Sequence, residues 1–197
     1  MSNLDSDIKV RILHAAKKLF AENGFEGTSV RQICEAAGAN VALVSYHFGG
    51  KENVFAALFE NFFPNDKIRT LQAEQIEPVA GVRLLIREVT LYRQAEPELI
   101  RIVQQEIVLN TPRIKKIREH VMPMWEQLRI WLEQGRELGK FDFRSLDTVL
   151  MSIVGTLLFH RDNEYWTVLQ GQERDSIEMM IEDMTAFIMN GLQYRSE

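Results

Sequence analysis

The chain has one cysteine, Cys34, among its 197 residues. An internal disulfide and a cysteine-rich zinc site are therefore excluded, and a reducing compartment, the cytoplasm, is the expected setting. No uninterrupted apolar run approaches the ~18 residues that a bilayer span needs, so no membrane partner is expected. The opening residues place Asp5 and Asp7 ahead of an apolar stretch broken by lysines and arginine, the wrong order for a signal peptide. A glycine-rich phosphate loop and a nucleophile motif are missing, and neighbouring carboxylates such as Glu182 and Asp183 point in different directions on a helix. The four histidines, His14, His47, His120 and His160, lack a spacing that would clamp a metal from one helix face. An enzyme, a metal site and a cofactor are thus not expected. What is present is ample material for a core. With 46% hydrophobic and 26% charged residues in 22.9 kDa, such a chain buries roughly 70% of its unfolded surface.

The net charge of −5 is unevenly distributed. Residues 1–52 are neutral, with Lys9, Arg11, Lys17, Lys18, Arg31 and Lys51 balanced by six carboxylates, and the remainder carries the whole excess. A neutral segment on an acidic body can still meet a phosphate backbone locally.

Apolar residues recur at three- and four-residue spacing almost throughout, which predicts an all-α chain. The first helix is expected from Asp7 to Asn23, stopped by Gly24. Thr28 or Ser29 caps a short second helix ending before Gly38, and Asn40 caps a third that ends at the Gly49-Gly50 turn. Longer helices follow over 51–63, 67–74, 79–95, 97–110, 112–138, 145–160 and 173–194, the last two joined by a polar loop containing Gly171. Pro64 ends one, Pro97 and Pro112 sit at helix starts, and Pro123 is expected to bend or split the helix that contains it. No serine- or glycine-rich linker separates the two expected parts, 1–50 and 51–197.

Residues 29–48 have the spacing of a helix-turn-helix. Two steeply crossing helices need small residues where they touch, apolar anchors on both inner faces and a turn residue tolerant of positive φ. Val30, Ile33, Cys34, Ala37, Gly38 and Val44 occupy those places. Asn40, Val41, Ala42, Leu43, Ser45, Tyr46 and His47 are then turned outward, where a helix can enter a major groove about 12 Å wide.

With the first-helix pattern ILHAAKKLFAENGFEGTSV, the segment Ile33–Gly38, the cluster Tyr46-His47-Phe48 and Lys51-Glu52, residues 8–55 resemble the DNA-binding domain of the tetracycline-repressor (TetR) family of bacterial transcription regulators. The resemblance implies a three-helix DNA-binding domain followed by a larger helical domain for ligand binding and dimerisation. It implies phosphate contacts from Thr28, Ser29, Tyr46, His47 and Lys51, and base-edge contacts from among Asn40, Val41, Ala42 and Ser45. The third helix lacks arginine and lysine, so readout would lean on thymine methyls, on Asn40 or Ser45, and on DNA shape. The resulting expectation is a homodimeric repressor of a palindromic double-stranded operator, released by a small-molecule effector. A DNA-bound scaffold that recruits a protein without sensing a small molecule is the alternative.

Phe59, Phe62, Tyr92, Met122 and Trp125 are expected either in an ordinary core or lining an effector cavity, with Arg101 and Glu106 as its polar groups or as surface residues. Leu150, Ile153 and Leu157 on one late helix, and Ile177, Ile181, Met184, Phe187 and Ile188 on the other, make an apolar width that pairing with a two-fold copy would cover, burial inside a monomer being the alternative.

Overall fold

A computed structural model describes residues 3–159, 164–169 and 175–195, with the side chains from residue 7 onward except those of residues 164, 165 and 167. The expected polar loop around Gly171, and His160, lie outside the described residues. Among the described residues there are ten α-helices, a six-residue 3-10 helix at Glu164–Leu169, and no strand. The helices are α1 (Asn3–Asn23), α2 (Val30–Ala37), α3 (Val41–Phe48), α4 (Lys51–Phe62), α5 (Asn65–Ala73), α6 (Pro78–Ala95), α7 (Pro97–Leu109), α8 (Ile114–Glu137), α9 (Leu146–Leu158) and α10 (Ile177–Gly191).

Two differences from expectation concern helix bounds. The first helix begins at Asn3, ahead of the expected Asp7. Pro123 does not split α8, because a single missing N–H leaves the hydrogen bonds on either side in place.

The chain forms two compact units, each drawn from two separate stretches of sequence. The first takes the residues up to Asn65 together with Glu96–Val121; the second takes Asp66–Ala95 together with the residues from Met122. The chain crosses between them three times, and a proline stands within two residues of each crossing: Pro64, Pro97 and Pro123. These are positions where a regular helix starts, stops or loses a bond.

In the first unit α1 packs against α2, α4 and α7. Its core includes Ile12, Ala16 and Phe20 of α1, Ile33 of α2, Phe55 and Leu58 of α4, and Leu99 and Ile102 of α7, all nearly sealed from solvent. Cys34 is buried among them, and burial pushes its thiol pKa up, as expected of an inert core cysteine. In the second unit α6 packs against α9 and α10. Trp131 and Leu132 of α8 lie in that core, and the Trp131 ring occupies the space over Gly81, where a Cβ would come within 2.4 Å of it. Phe141 fits over Gly135 in the same manner, and Trp125 is buried as well.

Candidate nucleic-acid interface

Helix α2 starts with a reciprocal cap. The Ser29 hydroxyl oxygen accepts from the Gln32 N–H at 3.2 Å, while the Gln32 side-chain oxygen accepts from the Ser29 N–H at 2.8 Å. Helix α2 ends at Gly38, at φ +61°, the left-handed conformation that glycine adopts without strain. Arg11 of α1 donates to the Gly38 carbonyl, and Asn40 opens α3 by accepting the Ala42 N–H on Oδ1 at 3.0 Å. Helix α3 ends at Gly49, φ +76°, followed by Gly50, φ +151°.

Between these stops, α3 has a simple two-sided character. Val44 is its buried anchor, and Leu43, His47 and Phe48 are half-buried. Val41, Ala42, Ser45 and Tyr46, spaced to share one face, are exposed, Tyr46 at 77%. Asn40 is exposed at the same end of the helix. Every residue expected to reach a base edge therefore lies on one open side. Nothing charged stands on that helix face.

Two of the side chains expected at phosphates also have partners inside the fold. Thr28 is 1% exposed, and its hydroxyl donates to the carbonyls of Leu19 and Gly24, so it closes the turn between α1 and α2 rather than facing outward. Lys51 is half-buried, with Nζ donating at 2.9 Å to the carbonyls of Phe25 and Thr28 and lying 4.1 Å from the centre of the Phe25 ring. Both side chains build the scaffold. Ser29 and Tyr46 stay exposed, and the His47 ring meets Tyr46 edge-on.

An exposed helix presented by glycine-terminated turns is a DNA reader only in the right lineage, and the comparison with known proteins decides that. Residues 12–58 match the bacterial regulatory proteins of the tetR family, and residues 78–190 match the tetracyclin repressor-like C-terminal domain, the latter alone more than half of the chain. The chain belongs to the TetR family. The probable HTH-type transcriptional regulator YttP of Bacillus subtilis is 31% identical over 138 residues, 68% of this chain and 67% of that protein. The HTH-type transcriptional repressor NicS of Pseudomonas putida is 26% identical over 160 residues, 78% of this chain and 76% of that one. The crystal structure of HlyIIR, a hemolysin II transcriptional regulator, superposes with a TM-score of 0.78 at 28% identity, covering 97% of this chain and 99% of that chain. TetR regulators bind operator DNA and are dimeric, so this chain is a DNA-binding transcription regulator whose relatives are regulators rather than enzymes. Among the described residues no helix is long and apolar enough to cross a membrane.

The residues expected around an effector are divided between the two units of this TetR protein. Phe59, Phe62, Arg101 and Glu106 lie in the first, and Tyr92, Met122 and Trp125 in the second. Phe59 is fully buried against Phe55, with the His120 ring 6.2 Å away, and the Phe62 ring lies under the Lys17 ammonium. Tyr92 is half-buried, and Trp125 is buried. Arg101 and Met122 are exposed, so neither lines an interior in its own unit. Glu106 is 3% exposed, but its carboxylate already accepts from Thr111 Oγ1 and from Arg113 Nε, an internal pairing that replaces the open polar group expected of it.

The late stripes are also corrected in part. Ile153, Leu157, Ile181, Met184 and Ile188 are buried within their own unit, Leu150 and Ile177 are half-buried, and of the eight only Phe187 is exposed, at 69%. The Thr90 hydroxyl reaches the Met184 sulfur at 3.8 Å, which shows Met184 turned toward α6. The apolar side chains left outward on these helices are Met151 of α9 and Met179 and Phe187 of α10, with Phe159 just past α9. Thr28, Lys51 and Glu106 share one lesson: their residue types suit an outside partner, but here an inside partner satisfies them.

Proposed function

We propose that this chain is a homodimeric repressor that leaves a palindromic operator when a small molecule binds its helical body. The reading is carried by the open face of α3, where Val41, Ala42, Ser45 and Tyr46 stand outward between two glycine-terminated turns. Val41 and Ala42 suit thymine methyls, and Asn40, whose Oδ1 is occupied by the cap, offers its amide N–H groups to a base acceptor. Ser29, Tyr46 and His47 supply phosphate contacts beside them. Two such faces related by a two-fold axis would meet half-sites ~34–36 Å apart or a multiple of that distance. Dimer pairing would cover Met151, Phe159, Met179 and Phe187, an outward apolar set rather than the buried stripes of the same helices. The effector acts only through its preference for one arrangement of the dimer. The cytoplasm, where the chromosome lies, is the setting this role requires.

Selection from random duplex DNA should recover a palindrome. On that duplex Tyr46→Ala should weaken binding and flatten the log–log salt dependence by ~0.9, the share of one phosphate. Unchanged affinity and slope would remove Tyr46 from the interface. Light scattering of a Met151→Asp/Phe187→Asp variant should give a monomer, and an undiminished mass would place the dimer contact elsewhere.

A further inference from the structure

A cation with several partners in the first unit stands at the entrance to α8, outside the DNA-facing helix. Arg113 donates from Nε to Glu106 at 3.2 Å and from Nη1 to Glu26 at 3.0 Å. Its guanidinium also lies 4.0 Å from the centre of the Phe25 ring and 6.0 Å from that of Phe55. The Phe25 ring meets a second cation, Lys51, whose ammonium holds the carbonyls of Phe25 and Thr28. A single cluster thus ties the α7–α8 loop to the turn that leads into α2 and to the first residue of α4.

Stability is a poor reason for this arrangement. A half-buried arginine on a buried carboxylate loses hydration that the pairing only offsets, and apolar replacements of such pairs are often neutral. Orientation is a better one. A planar fork with bonds in two directions and an aromatic face beneath it has far fewer acceptable positions than an apolar contact. Helix α3 also has little packing of its own: Val44 is its one buried residue, and glycines at positive φ end the helix before it and α3 itself. Its direction is therefore inherited from α2 and α4, the two helices whose starts the cluster holds.

We infer that Arg113 is a positioning residue for operator binding: from the α7–α8 loop it sets the Gly24–Ser29 turn and the start of α4, and through them the angle of α3. The inference rests on the proposed operator-binding role and names where that role is regulated. A displacement of the α7–α8 loop reaches the reader through Glu106, Arg113, Phe25 and Lys51.

The test compares the intact protein with Arg113→Lys and with the double variant Glu106→Gln/Arg113→Met, which leaves no unpaired charge inside. The probe is the duplex recovered by selection, titrated over a salt series, with circular-dichroism melting to confirm folding. The double variant should melt cooperatively and yet bind about tenfold more weakly, an ordinary size for coupling between sites, with an unchanged salt slope. Arg113→Lys, which keeps the cation but loses the fork, should fall between. Amide resonances of Gly24–Ser29 and Gly49–Lys51 should shift in the double variant without DNA present. A folded double variant with affinity within twofold of the parent overturns the inference. A slope reduced by ~0.9 also overturns it, since Arg113 would then be a phosphate contact. Failure of the parent to select any duplex would instead overturn the operator-binding role itself, and this inference with it.

Discussion

The first unit has surface ion pairs such as Lys116 with Glu119, but it also sets two inside: Lys17, 7% exposed, pairs with Glu96, and Arg113 pairs with the buried Glu106. In the second unit the pairs of Lys67 with Glu88, Arg129 with Asp147 and Arg195 with Asp142 have well-exposed cations, and the interior is closed by rings seated on glycines, Trp131 on Gly81 and Phe141 on Gly135. The two solutions specify different things. Surface pairs of the second kind contribute ~0–1 kcal/mol each, and a ring on a glycine matches volume without fixing direction. Interior pairs are directional, which suits a unit whose task is to hold one short helix at a set angle. The second unit leaves Met151, Met179 and Phe187 outward, because its core is built on the opposite faces of those helices.

The contrast can be broken most forcefully at Trp131. Trp131→Ala should cost about 3–5 kcal/mol in urea denaturation followed by circular dichroism, the range for emptying a large aromatic site. A loss under ~1 kcal/mol would show that the ring is not what closes this unit. Gly81→Ala is the sharper test because two effects oppose. Alanine favours a helix over glycine by about 1 kcal/mol, whereas its Cβ would sit 2.4 Å from the Trp131 ring. Overpacking of ~1–3 kcal/mol should win, so the variant should have a lower urea midpoint. A raised midpoint would mean the ring yields readily. Ser29→Ala should have the smallest effect, about 1 kcal/mol, because it removes one half of a cap whose other half, Gln32, remains to be solvated. Its measurable consequence is faster amide exchange in the first turn of α2, and unaltered exchange there would contradict the cap.

Much of the first unit was legible because its signals are local. Asn40 and Ser29 cap helices within three residues, and Gly38 and Gly49 stand where a left-handed residue is needed, so α2, α3 and the open face between them follow from spacing. The internal partners of Thr28 and Lys51 were not legible for a physical reason: a hydroxyl or an ammonium suits a phosphate and a backbone carbonyl equally, and only the folded turn supplies the carbonyls. Arg113 carried no signal, since its partners Glu106 and Glu26 lie 7 and 87 residues away along the chain. The stripes of α9 and α10 were read as an interface although apolar spacing states only that a face is covered, not by what. Ile181 and Ile188 are covered at home. The units themselves were hidden because Glu96–Val121 folds with residues far upstream, and prolines marked each crossing as an interruption without saying where the chain went next.

Trp125, Trp131 and Trp166 are the chain's three tryptophans, and all belong to the second unit. Intrinsic indole emission is therefore blind to the DNA-reading half, so a red shift on heating or in denaturant times the opening of one half alone. Ellipticity at 222 nm sums both. Any gap between the two melting curves would then be a direct measure of how independently the halves come apart.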